Sequence, residues 1–113
     1  MKTDNDEYSI DCTTQPATAL LRGVLRLQST ESYDRLFEPI RNNMLAGGRS
    51  YVLDLREVVL MNSSGIRALA GLVLLAKEKG VALSLRVRES IPWQRKTVAS
   101  LKLLDPALDV QGQ

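Results

Sequence analysis

Apolar residues along this chain keep two rhythms, and the rhythm changes where the elements change. Tyr8 to Asp11 reads as a short strand, and Thr13-Thr14-Gln15-Pro16 as a turn after it. Ala17 to Leu27 reads as a stronger strand, with Gly23 inside it marking a bulge or a close backbone approach. From Gln28 the period lengthens. Tyr33, Leu36, Phe37, Ile40, Met44 and Leu45 fall near i, i+3, i+4 spacing and predict a helix that Gly47-Gly48 ends. Pro39 lies within it, where a missing N–H and a ring clash one turn back predict a kink or a break.

Tyr51-Val52-Leu53-Asp54-Leu55 is nearly all apolar and suits a central strand, and Arg56 to Met61 reads as a loop with a short apolar stretch. Asn62-Ser63-Ser64 precedes a long helix, about Ser64 to Lys79, whose buried stripe is Ile66, Leu69, Val73 and Ala76. Gly80 closes it as the C′ residue, with Lys77 and Lys79 at the negative end of its dipole. Val81, Leu83, Leu85 and Val87 alternate with Ala82, Ser84 and Arg86, as in a half-buried strand. Pro92 sits at the first position of a last helix, Trp93 to Leu103, which Asp105-Pro106 stops. Ala107 to Val110 reads as an edge strand or a tail. Strands alternating with helices predict an α/β sheet with helices packed against it.

Composition narrows the chemistry. The 113 residues are 44% apolar and 25% charged, which fits one globular domain without internal repeats. Its core is expected at about 17–104, with residues 1–7 and 111–113 flexible. The chain has no histidine, which rules out Ser-His-Asp, Cys-His and histidine phosphorelay mechanisms within it. Cys12 is the only cysteine, so no internal disulfide or zinc thiolate cluster forms, and an inert thiol is expected. Gly47-Gly48 lacks the lysine and spacing of a nucleotide-binding loop. Asp54 has only Glu57 in a fixed relation to it, too little for a metal site, and is expected to cap the loop. No cofactor, no metal and no enzymatic activity are expected.

Residues 1–40 hold 4 basic and 7 acidic side chains, whereas residues 41–102 hold 11 basic and 4 acidic ones. That asymmetry can steer an acidic partner. No aromatic residues interleave with the basic ones to stack bases, so no nucleic-acid partner is expected. Trp93 beside Arg95 and Lys96 has two open roles: an interface anchor, or packing over the core edge, the commoner use. The polar start Met1–Glu7 leads into no apolar h-region, and the longest apolar run, Ala68 to Ala76, is far short of the ~20 residues a membrane span needs. A cytoplasmic protein with no membrane association is expected.

One segment concentrates the candidate chemistry. Asn62-Ser63-Ser64-Gly65 puts two hydroxyls and an amide at a helix start that follows a buried strand. Free N–H groups and the positive dipole end favour negative charge there, and a phosphate on Ser63 would add about −1.5 to −2 charge to the surrounding surface. The same residues also serve as ordinary N-caps.

The stretch from Tyr51 to Leu69, with Asp54-Leu55, the apolar Val58 to Met61 and then Asn62-Ser63-Ser64-Gly65-Ile66, resembles the signature of STAS domains, the anti-sigma factor antagonist and sulfate transporter family. Gly23, the Lys77-Glu78-Lys79-Gly80 exit and Ser90-Ile91-Pro92 also look like the family, over about residues 17–104. The resemblance implies a mixed four- to five-stranded sheet with helices packed against it. It implies an anti-sigma factor antagonist-like interaction module in a partner-switching pathway. A GHKL-type serine kinase that doubles as the anti-sigma factor would phosphorylate Ser63, with Ser64 the secondary position, and a PP2C-type phosphatase would reverse it. Asn62, Ser63, Ser64, Gly65 and Arg67 would meet the partner. The family's acidic residue is Asn62 here. A neutral residue repels a phosphate less, yet it also removes a carboxylate that could orient the serine in a kinase complex. The alternative is a STAS scaffold or small-ligand sensor that is not phosphorylated.

Overall fold

The computed structural model describes residues 2–113. Its strands are β1 (Lys2–Asp4), β2 (Tyr8–Asp11), β3 (Thr18–Leu25), β4 (Ser50–Met61), β5 (Ala82–Val87) and β6 (Asp109–Gly112). Its helices are α1 (Thr30–Leu36), α2 (Glu38–Gly47), α3 (Ser63–Glu78) and α4 (Pro92–Leu104). The six strands form one sheet in chain order. β1, β2 and β3 pair antiparallel, and β3 to β6 pair parallel. The α/β class and mixed sheet agree with expectation. Two flanks do not. Lys2–Asp4 is a strand rather than part of a flexible end, and the edge strand read at Ala107 to Val110 is β6, Asp109–Gly112, which runs on into residues expected to be flexible; each finds a neighbour whose backbone groups need partners. Met1 lies outside the described residues.

Each parallel connection steps one place in the same direction across the sheet. Right-handed crossovers then put every helix on one face. In agreement, α1 packs on α3, and α3 on α4. On the covered face Leu21, Leu25, Tyr51, Leu53, Leu55, Leu83, Leu85 and Val87 are buried. Leu20, Arg22, Val52, Ser84 and Arg86 alternate with them and are exposed or half-buried. The core also reaches past 17–104 to Ile10, Cys12 and Leu108. α3 buries a wider stripe than expected, with Ala68 and Leu72 beside Leu69, Val73 and Ala76, while Ile66 is only half-buried.

Pro39 breaks the first helix. Phe37 ends α1 and begins α2, with Pro39 in the first turn of α2, where its missing N–H costs no helical bond. Gly23 has φ +94°, and a Cβ there would collide with the Glu7 carbonyl and stand 2.9 Å from Tyr8 Cα. The Glu7 carbonyl accepts from Val24 N at 2.8 Å, so the glycine lets the residues before β2 press onto β3.

The largest departure is Arg56 to Met61, which continues β4 as a strand instead of looping. β3 pairs with it through two irregularities. Leu20 and Arg22 face Asp54 and Glu57, and Gly23 and Val24 face Val58 and Leu60. Each shift inserts one extra residue into β4. Leu55, Val58 and Met61, three apart, therefore all point into the core. A search for period-two alternation misses such a strand. β5 pairs only with Ser50 to Asp54, so the edge of β4 beyond it needs other donors. Gln94, 1% exposed, supplies them: its Nε2 donates to Leu55 O at 2.7 Å and Val58 O at 2.9 Å, and its Oε1 accepts from Arg88 N at 2.8 Å. Trp93 is half-buried on the core, and its Nε1 donates to Val58 O at 2.9 Å.

Asp54 caps no loop. It lies within β4, 4% exposed, and its carboxylate takes Arg56 Nη2 at 2.7 Å and Nε at 3.0 Å. Burial pushes its pKa up, but the Arg56 hydrogen bonds and the charges of Arg56 and Arg86 hold it below the ordinary aspartate range. A depressed pKa adds stability that is full above the unfolded value and lost as pH falls through the folded one. Asp54→Asn is expected to lower stability by about 1–3 kcal/mol at pH 7. That gap should narrow as pH is lowered below 3.8, as urea melts of both proteins at stepped pH would show.

Gln94→Leu should strip the partner from the Leu55 carbonyl and the Arg88 N–H at once, and leave the Val58 carbonyl only Trp93 Nε1. A loss of about 2–4 kcal/mol in urea unfolding is expected, against less than about 0.5 kcal/mol for the exposed neighbour Arg95→Leu.

Candidate functional site

The parallel strands β3 and β4 end side by side, and the chain turns from β4 directly into α3. Asn62 is the N-cap, with extended backbone, and its side chain makes three hydrogen bonds. Oδ1 accepts from Gly65 N at 3.1 Å and from the Tyr33 hydroxyl at 2.7 Å. Nδ2 donates to Leu27 O at 2.8 Å. Its backbone N donates to Leu25 O at 3.0 Å. Tyr33 Oη in turn accepts from Leu27 N at 3.2 Å. The amide thus binds the start of α3, the exit of β3 and helix α1 to one another. Burial pushes the Tyr33 phenol above its ordinary pKa, so it stays a neutral donor. Gly65 is needed for space. A Cβ there would stand 2.6 Å from Met61 Cγ and 2.8 Å from Tyr33 Cζ and Oη.

The geometry separates the five candidate residues. Asn62 and Gly65 face inward and hold the fold. Ser63, the first residue of α3, is exposed, and Ser64 beside it is half-buried. Arg67 is exposed one helical turn beyond Ser63. Among the described residues, none is hydrogen-bonded to the Ser63 hydroxyl. The N–H groups of Ser63 and Ser64 are first-turn amides, for which an α-helix provides no acceptor. The first turn carries no acidic residue. A dianion on Ser63 would meet two amides and the positive dipole end, with Arg67 four residues on along the helix and no carboxylate in the first turn.

Tyr33 and Leu27 belong to this site and were not anticipated in it. Tyr33 fits a helical stripe as an ordinary core aromatic, and only its hydroxyl, 29 residues from Asn62, reveals the second role. Cys12 is buried, and burial raises its thiol pKa, which disfavours the reactive thiolate. Among the described residues no group of three or more acidic, cysteine or histidine side chains could hold a metal ion, and no helix is long and apolar enough to cross a membrane. No protein-family model matches the chain, and no curated protein matches it.

The amide at position 62 has a structural reason. A carboxylate there would keep the bonds from Gly65 N and Tyr33 but would turn an oxygen toward the Leu27 carbonyl. Asn62→Asp is expected to cost about 1–2 kcal/mol at pH 7, the lost bond and repulsion outweighing a better dipole interaction. The deficit should shrink in acid, where the protonated carboxyl donates again; a chemical-denaturation series from pH 7 to pH 4 would record it.

Proposed function

We propose that this chain is an anti-sigma factor antagonist-like STAS module, acting in the cytoplasm as a non-enzymatic partner switch controlled by phosphorylation of Ser63. The partner is a GHKL-type serine kinase that is also the anti-sigma factor, and a PP2C-type phosphatase resets the switch. The observation that carries this proposal is the exposure of Ser63 at the first position of a helix whose cap is bonded on every side. The hydroxyl is open to an enzyme, and its loss to a phosphate breaks no bond of the fold. The mixed sheet with helices packed against it is compatible with the family's fold. Ser64, half-buried, is the poorer acceptor.

Unmodified, the α3 N-terminus and the strand end beside it bind the partner. Modified, the added charge must be desolvated at the contact, which weakens it. Asn62 acts through the fold, and its neutrality leaves the phosphate only favourable neighbours in the first turn.

The test is purification of the tagged protein from its native cell with mass spectrometry of both the co-purifying chains and Ser63, followed by binding of the variants. Ser63→Asp is expected to bind the captured kinase roughly tenfold or more weakly than Ser63→Ala. Equal binding by the two variants, with Ser63 unmodified after addition of the kinase and ATP, would favour the scaffold or small-ligand sensor instead.

A further inference from the structure

The second irregularity of β4 does more than lengthen a strand. Gly23 and Val24 face Val58 and Leu60, so Val59 is the extra residue. Val58 and Met61 are buried, while Val59 is 64% exposed and Leu60 47%. Bulges re-aim side chains, and this one turns two apolar side chains outward just before the Asn62 cap. Their placement is held from both sides. Gly23 lets Glu7 O bond Val24 N across from Leu60, and Trp93 and Gln94 bond the Val58 carbonyl.

Charged pairs flank the two side chains. Glu7 and Arg26 pair at 3.0 Å on the β3 side, and Glu57 and Arg88 approach to 3.8 Å on the other. Beside the first pair, a hollow of about 420 Å³ is lined by Asn5, Asp6, Glu7, Tyr8, Arg26 and Leu27, and Leu27 is the residue whose carbonyl Asn62 holds. A small apolar centre, a rim of both signs and an adjoining concavity have the anatomy of a protein contact. A membrane surface would be met by a larger apolar face and an unpaired basic rim.

We propose that Val59 and Leu60 are the apolar anchor by which the serine kinase docks to reach Ser63. This rests on the phosphorylation proposed above and names the surface that its partner uses. A kinase that takes Ser63 into its active site must cover the neighbouring surface, and these are the exposed apolar side chains closest to Ser63 on β4.

The experiment measures the phosphorylated fraction of Ser63 by mass spectrometry in the native cell, for the full chain, its Val59→Ser/Leu60→Ser double variant and Leu103→Ser. Leu103, 85% exposed on α4, is the control for loss of a surface apolar group. Exposed substitutions change stability little, and urea midpoints within about 0.5 kcal/mol of the wild type would verify that here. Leu60→Met keeps an apolar group and should retain phosphorylation. The double variant should be phosphorylated roughly tenfold less or lower, with Leu103→Ser unchanged. A normal phosphorylated fraction in the double variant overturns the anchor while leaving the switch in place. An unphosphorylated wild type overturns the switch itself, and the anchor with it. Sedimentation of the wild type, but not the double variant, with phosphatidylserine vesicles would overturn the assignment to a protein partner.

Discussion

The side-chain amide of Asn62 is the joint on which the candidate site of this domain depends. Its oxygen receives both the first-turn amide of Gly65 and the phenol of Tyr33, and its nitrogen reaches the Leu27 carbonyl. One side chain therefore sets where α3 begins, where β3 releases the chain and how α1 lies against both. A hydrogen bond of this kind nets about 0.5–1.5 kcal/mol, but leaving a buried partner unmet costs more. The site is protected by that asymmetry: Gly65 N, the Tyr33 hydroxyl and the Leu27 carbonyl would all lose this partner if the side chain were cut back to a methyl. Gly65 completes the joint by giving up the volume that the Tyr33 ring occupies.

A second constraint is the length of β4. The strand outruns β5, and an uncovered strand edge requires donors. Gln94 meets it by spanning the Leu55 and Val58 carbonyls while accepting from Arg88 N. With that edge closed, β4 can carry two extra residues and still bury Leu55, Val58 and Met61. The irregular half of the strand is thus tied down on both sides. The same constraint that preserves the core sends Val59 and Leu60 outward.

Much of this architecture is legible in residue order. Tyr8 to Asp11, the alternation from Val81 to Val87 and the N-terminal proline of the last helix all follow local rules, and the elements lie where those rules put them. Pro39 marks its break for the same reason. What is not legible depends on neighbours. Arg56 to Met61 has no strand period because its register is set by β3, and bulges leave inward residues three apart. Lys2–Asp4 is too short to declare itself, and the choice between edge strand and tail at Ala107 to Val110 is made only by pairing with β5. At the site, Asn62, Ser63 and Gly65 stand out from spacing, but their division of labour does not. That Asn62 and Gly65 face inward while Ser63 and Arg67 face outward depends on Tyr33, brought in from a helix that begins 32 residues earlier.

This division has a consequence for the proposed switch. A modification that signals through surface charge must leave the underlying fold in place, or the signal becomes partial unfolding. Ser63 meets that requirement because its hydroxyl is bonded to none of the described residues, while Asn62 before it and Gly65 two residues on hold the joint. An acidic cap would meet it less well, since it would confront a carbonyl in the unmodified state and the phosphate in the modified one. With a neutral amide at position 62, the first turn of α3 offers the new charge amide donors and no carboxylate. The cost of the added charge then falls on whatever molecule covers Ser63. That is the physical condition for a change of partner without a change of fold.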